Sequence, residues 1–192
     1  MSTVPAIRQR IVLADLVPGT WVRDAVLVLA GAGLTGLAAQ GSFTISAISP
    51  VPFTLQTLAV LVTGAALGSV RGLLSIGLYL LAGVAGVPWF AHHESGWGGA
   101  SFGYIIGFVL AAGVVGELAR RGNDRSVLSA IGLMAMGEVI VLTVGTVWLA
   151  HDLHVGSAKA IEYGVTPFLV WDVIKLVAAA LLFPAAWKLA RR

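Results

Sequence analysis

Residues 164–189 read GVTPFLVWDVIKLVAAALLFPAAWKL. As a helix this run is long enough to cross a bilayer, which takes about 20 apolar residues. Yet it carries Asp172 and Lys175 well inside its apolar stretch. A charge at the centre of a membrane helix costs roughly 2.5–3.5 kcal/mol on insertion scales, so such residues are rare unless something needs them. The i,i+3 spacing puts the two on one helix face, where opposite charges partly neutralise each other. Lysine offers donors only and ionised aspartate acceptors only. Together they can read a small ligand that has both a carbonyl and N–H groups. They can equally form an ion pair that holds helices together, and spacing leaves both readings open.

The rest of the composition agrees with a membrane setting. Of the 192 residues, 58% are hydrophobic and 11% charged, and the mean hydropathy is +0.93. Soluble domains carry roughly 25% charged residues, so this chain has too few to coat a globule. Long apolar runs, 24 glycines and little strand-like alternation predict an all-α integral membrane protein. There is no cysteine, which excludes disulfides, thiolate chemistry and cysteine-based metal sites. Despite the basic balance, Lys and Arg cluster at helix ends, which points to membrane topology rather than to nucleic acid.

Working outward from the final span, six transmembrane helices are predicted. The first covers about 25–41, after an N-terminal segment 1–24. That segment holds Arg8, Arg10, Asp15, Arg23 and Asp24 among apolar residues such as Ile7, Ile11, Val12 and Leu13. Its pattern predicts a short stretch lying at the membrane interface, set apart from a membrane domain over 25–192. Pro18-Gly19 then breaks the segment. Spans two and three cover about 54–68 and 73–87, separated by a tight turn at 68–72. Spans four and five cover about 101–119 and 127–150, and the polar stretch 151–164 is expected to be a loop. The first span carries small residues at Gly31, Ala32, Thr35, Gly36 and Ala39. Such stripes let another helix approach closely. They read either as internal packing or as a docking face for a partner subunit. Gly99, Gly103, Gly107 and Ala111 make a second stripe at the fourth span.

Six spans put both termini on one side. With that side cytoplasmic, ten of the twelve Lys and Arg residues lie inside: Arg8, Arg10, Arg23, Arg71, Arg120, Arg121, Arg125, Lys188, Arg191 and Arg192. Lys159 lies outside and Lys175 in the membrane, so the charge split fixes the orientation. Trp89, Trp97, Trp148 and Trp171 then fall near the outer interface, and Trp21 and Trp187 near the inner one, as in aromatic belts. This orientation turns Gln56, the loop 89–100, the start of the fourth span and the Asp172/Lys175 face toward the outside. Polar and aromatic groups from four segments converge there, as an external small-molecule pocket would require. Among the aromatics, Tyr104, Phe90 and Trp97 are candidates to enclose an apolar ring. Glu138, about three turns into the fifth span, reads first as a packing residue and second as a transport residue.

Nucleotide-binding GxxxxGK[ST], the zinc motif HExxH and the hydrolase motif GxSxG are all absent, and no nucleophile–base pair is visible. The chain is therefore expected not to be an enzyme, to hold no cofactor or metal, and not to power transport itself. His92, His93 and Glu94 are read as solvated loop residues.

The run Val51-Pro52-Phe53-Thr54-Leu55-Gln56-Thr57-Leu58-Ala59-Val60-Leu61, with Arg71-Gly72 and Leu78 through Pro88 after it, closely resembles the BioY family. The likeness continues through Gly103-Tyr104-Ile105-Ile106-Gly107-Phe108 and Pro167-Phe168-Leu169-Val170-Trp171-Asp172-Val173-Ile174-Lys175. These proteins are the biotin-binding S components of energy-coupling factor (ECF) vitamin transporters. The resemblance implies a six-helix S-component fold in the cell membrane that takes biotin from outside. It also implies a transmembrane T subunit and two cytoplasmic ATPases as partners, with the small-residue stripe of the first span meeting the T subunit. In the family, the Asp and Lys of PFLxxDxxK help hold the ligand, which carries onto Asp172 and Lys175. Ala100-Ser101-Phe102-Gly103-Tyr104 departs from the family's PTGGY-like approach, with Phe102 in place of a glycine.

Overall fold

The computed structural model describes residues 11–190. Arg8, Arg10, Arg191, Arg192 and Ile7, used in the sequence argument above, lie outside the described residues. Seven α-helices follow one another: α1 (Trp21–Gln40), α2 (Gln56–Leu67), α3 (Ser69–Val84), α4 (Phe102–Arg120), α5 (Val127–Asp152), α6 (Ser157–Gly164) and α7 (Leu169–Ala190). Short 3-10 turns occupy Leu13–Leu16 and Ala91–His93. Helices α1, α4, α5 and α7 are long and apolar enough to cross a membrane, and α2 and α3 are shorter apolar helices. The six predicted spans correspond to α1–α5 and α7.

The departures have local causes. Gly68, at φ +84°, lets the chain turn back within one residue, a conformation that a side chain resists. Helix α3 therefore restarts at Ser69, and most of the expected turn 68–72 is helical. That places Arg71 on α3, where its guanidinium donates to Asp15 (2.8 Å) and pairs with Asp24 (3.1 Å). Burial alone would push the Asp15 carboxyl up, but the Val12 N–H and Arg71 outweigh it and hold its pKa below the ordinary value. Val12 and Ala14 are buried in the bundle, so this part of the N-terminal segment is anchored to the helices. The stretch 151–164, read as a loop, contains the eight-residue α6. Ala160 is buried there, and Lys159 pairs with Glu162 at 3.1 Å on the exposed side.

Helix α4 runs through the centre and packs against α2, α3 and α5. Eleven of its 19 residues are buried, so it contributes more to the interior than to the surface. Its small-residue stripe serves this packing, since Gly103 and Gly107 lie against Trp148, Val141 and Val144 of α5.

The stripe on α1 is also turned inward, in line with the internal-packing reading of the two that the sequence left open. Gly31, Ala32, Thr35, Gly36 and Ala39 are the buried residues of that helix. Gly31 lies against Ser75 and Thr63, and Gly36 against Trp89. The Thr35 hydroxyl is satisfied by donating to the Gly31 carbonyl (2.9 Å). Small residues let α1 approach α2 and α3, while Val26, Leu29 and Leu37 point outward. In lipid an exposed leucine costs nothing, so close backbone packing decides which face turns in. The tryptophans differ in exposure. Trp21, Trp97 and Trp171 are exposed, but Trp187 is buried and donates to Asp124 at 2.6 Å, tying α7 to the α4–α5 turn.

Two outcomes are expected. Gly31→Leu should lower the thermal unfolding temperature in detergent, because the added side chain has no room and overpacking costs about 1–3 kcal/mol. Trp187→Phe should also destabilise, by about 1–3 kcal/mol, since it leaves buried Asp124 without that donor. Both can be read by thermal scanning in detergent. An unchanged transition in Gly31→Leu would mean that the α1 stripe faces open space.

Candidate functional site

The residues at the predicted outer end of the bundle enclose a cleft of about 750 Å³ including its open mouth. Helix α2 contributes Gln56 and Thr57, α4 contributes Phe102, Tyr104, Ile105 and Phe108, and α5 contributes Glu138 and Val141. Helix α7 supplies Asp172 and Lys175. The floor is charged and the walls are aromatic and aliphatic, a common composition for a small-molecule site.

Asp172 sits in the first turn of α7, and Lys175 one turn further on. The Lys175 Nζ lies 2.6 Å from Asp172 Oδ1, with both side chains largely withdrawn from solvent. The same ammonium reaches the Thr54 carbonyl and the Thr57 hydroxyl, each at 3.4 Å. These bonds link α7 to the start of α2. Glu138 meets the Asp172 carboxyl from α5. It is only 7% exposed. Its neighbour Gly137 faces Leu61 and Val115, and a side chain there would collide with both. This close approach of α5 seats Glu138 in the cleft.

The walls are fixed by polar handles on aromatic rings. Gln56 donates from Nε2 to the Tyr79 hydroxyl (2.8 Å), and Tyr79 donates onward to the Trp89 carbonyl (3.3 Å). Trp89 returns a bond from Nε1 to the Tyr79 carbonyl at 3.0 Å. Tyr104 donates to the Gly164 carbonyl (2.8 Å), which locks its ring against the end of α6. The Phe168 ring lies between Phe53 (4.6 Å) and Tyr104 (6.5 Å), measured between centroids.

Two loops form the roof. Phe43 and Phe53 exchange backbone bonds of 3.1 and 2.9 Å and stack their rings. The second loop folds on itself through Phe90 N–H to the Glu94 carbonyl (3.0 Å), and Gly96 N–H reaches the Gly83 carbonyl (2.8 Å). His92 joins the two loops, with its Nε2 2.9 Å from the Thr44 hydroxyl and its backbone N–H donating to Ser42 Oγ (3.3 Å).

Of the residues singled out in the sequence, Asp172, Lys175, Gln56, Tyr104 and Phe90 line the cleft together. Trp97 is not part of that lining. Gly96 (φ +95°) and Gly98 (φ +101°) on either side bend the chain, and the Trp97 ring sits outside, 72% exposed, over Phe102 and Trp148. Sequence reasoning did not assign Phe168 to the site, and it read Glu138 first as a packing residue, although both line the cleft. The available signal was that an acid deep in an apolar helix carries the same insertion cost as Asp172.

Comparison with known proteins gives consistent relatives. The BioY family model matches residues 8–192. The chain is 36% identical over 152 residues to the biotin transporter BioY of Thermotoga maritima, covering 77% of this chain and 88% of that one. It is 34% identical over 151 residues to the biotin transporter BioY2 of Lactococcus lactis, covering 73% and 82%. Among solved structures, it resembles the S-component for biotin from an ECF-type ABC transporter, determined at 2.1 Å. That likeness has a TM-score of 0.78 at 21% identity and covers 88% of this chain and 92% of the other, which establishes the fold.

Tyr79→Phe should leave the Gln56 amide without its buried partner and cost about 1–3 kcal/mol of stability. The thermal transition in detergent measures it. No change would mean that Gln56 finds another acceptor.

Proposed function

Because the chain belongs to the BioY family, we propose that it captures biotin from the outside, as the substrate-binding S subunit of an ECF-type transporter. The observation that carries this reading is the Asp172–Lys175 pair, buried at the floor of a cleft walled by aromatic rings. Biotin has a cyclic urea, a thioether ring and a carboxylate tail. A urea presents one acceptor flanked by two N–H donors. Asp172 accepts from N–H and Lys175 donates to the carbonyl, while Tyr104, Phe90 and Phe168 cover the ring. Gln56 stands on the α2 side of the same cleft. The protein works by binding and carriage, with no covalent step.

The chain shows no nucleotide-binding motif. Energy for uptake therefore comes from partners: a transmembrane T subunit and two cytoplasmic ATPases. The S subunit sits in the cell membrane with the α4–α5 turn inside, and residues 11–20 lie at that cytoplasmic end of the bundle ahead of α1. The small-residue stripe of α1 is buried within this chain.

Titration of the detergent-purified protein with biotin, read by calorimetry and tryptophan fluorescence, tests the reading. Saturable binding is expected, with no response to thiamine or riboflavin. Calorimetric silence from folded protein would leave the fold standing and remove the ligand. Asp172→Asn or Lys175→Ala should weaken binding by about 2 kcal/mol or more, roughly 30-fold, through loss of a charged hydrogen bond in a dry site. Wild-type affinity in either folded variant would take that residue out of the site.

A further inference from the structure

A second hollow lies on the outside of the bundle, where α5, α6 and the start of α7 meet. It measures about 1020 Å³ including its open mouth. Helix α5 gives it one long face, formed by Val139, Leu142, Thr143, Thr146, Val147 and Ala150. These positions follow the i, i+3, i+4, i+7, i+8, i+11 progression of a single helix side. At 1.5 Å per residue they run for about 16 Å. That is close to half of a hydrocarbon core about 30 Å thick. They lie in the half of α5 that leads to α6. There Ser157, Ala160 and Ile161 of α6 close the end of the groove. Short side chains such as Ala150 and Thr143 make it hollow, whereas α1 presents the large Leu29 and Leu37 to its surroundings. Leu142 lines this groove and the ligand cleft alike, so the two share a wall.

We propose that this groove holds one acyl chain of an outer-leaflet phospholipid, with the headgroup at the start of α6. Helices α5 and α7 are long and apolar enough to cross a membrane, so the groove opens to hydrocarbon. With the α4–α5 turn inside, the α6 end of α5 is outside. An unfilled hollow forfeits dispersion contacts along its lining, and in lipid such contacts drive association. Three features fit a lipid chain better than a protein helix. The groove is about one leaflet long. Helix α6 blocks its outer end, whereas a transmembrane helix must run the full thickness and is about 10–12 Å across. Its character also changes from apolar along α5 to polar at Ser157. The first turn of a helix has N–H groups without intrahelical partners and a partial positive charge, which complements a phosphate. A chain seated in this groove lies behind Leu142 and backs the wall of the cleft, whatever the cleft contains. The proposal is therefore independent of the biotin reading.

The test is photolabelling of the full chain in phosphatidylcholine vesicles. A tracer phosphatidylcholine carries a diazirine midway along one acyl chain, and adducts are mapped by mass spectrometry. Residues 139–150 of α5, with Ile161 and Val165, should be labelled about fivefold more than Leu29 and Leu37 of α1, because a groove surrounds a chain where a convex face does not. Equal labelling of both faces would mean ordinary boundary lipid and would overturn the proposal. Val147 is 68% exposed, so Val147→Trp fills the groove without entering the core. It should remove most of the groove label and leave that on α1 unchanged. Thr143→Leu, also at an exposed position, serves as a second filler should Val147→Trp fail to fold. Groove labelling that survives a folded filler would likewise sink the site. A diazirine fatty alcohol, which lacks the phosphate, should label the groove about threefold less than the phospholipid, and equal labelling would remove the headgroup contact. The chain has no cysteine, so Val147→Cys provides a single thiol. Efficient disulfide dimers of that variant in vesicles would mean that a second copy, not lipid, fills the groove.

Discussion

Placing an ammonium and two carboxyl groups inside an apolar helical bundle is the most expensive feature of this molecule, and much of the outer half is arranged around it. Removing an ion from water carries a penalty of several kcal/mol even after relaxation. The structure answers with a close ion pair on α7 and longer polar contacts from another element. Lys175 is held by Asp172 on its own helix and by the Thr54 carbonyl and Thr57 hydroxyl at the start of α2. These contacts require α7 to lie against α2, and Glu138 requires α5 to lie beside α7. The charged floor therefore specifies the relative placement of three helices. Apolar contacts alone, in a solvent as apolar as the side chains, specify placement weakly.

Close backbone approach does the remaining work. Helix α4 is surrounded by neighbours because glycine and alanine occupy its contact positions, with Gly103 and Gly107 against α5 and Ala111 and Ala112 fully buried. Helix α1 uses the same device toward α2 and α3. Large aliphatic residues are left on the outside of the bundle, an inversion of the pattern in water-soluble proteins. At the other end, Asp124 and Trp187 join the α4–α5 turn to the end of α7. The α7 helix is thus tied at both ends by polar bonds, with apolar packing between them.

The membrane class and the six principal helices were legible in the sequence because long apolar runs and glycine turns are local signals. So was the core of the site, since a charge in an apolar run announces its cost. What the sequence hid was direction. Whether the α1 stripe turned inward or outward depended on what α2 and α3 offered opposite, with Ser75 and Thr63 leaving room only for glycine at position 31. Trp97 and Phe90 lie in the same loop and look alike as aromatic candidates, yet glycines with positive φ beside Trp97 turn it out while Phe90 is buried. Glu138 was visible as a residue but not as a neighbour of Asp172, because 34 positions of chain separate them. Helix α6 escaped because its eight residues, mostly polar or small, stand out little beside the long apolar runs that flank them.

The roof divides labour with the floor. Affinity for an occupant is decided by buried bonds that water cannot reach. Exchange of that occupant is decided by the loops, where the His92–Thr44 bond lies in the open. Water competes for an exposed hydrogen bond, so its net contribution is small, and local openings of this kind need only part of the stability of the whole fold. Equilibrium selectivity and residence time are thus assigned to different parts of the chain. Changes in the loop 89–100 can retune how fast the cleft empties while the chemistry that chooses its contents stays as it is.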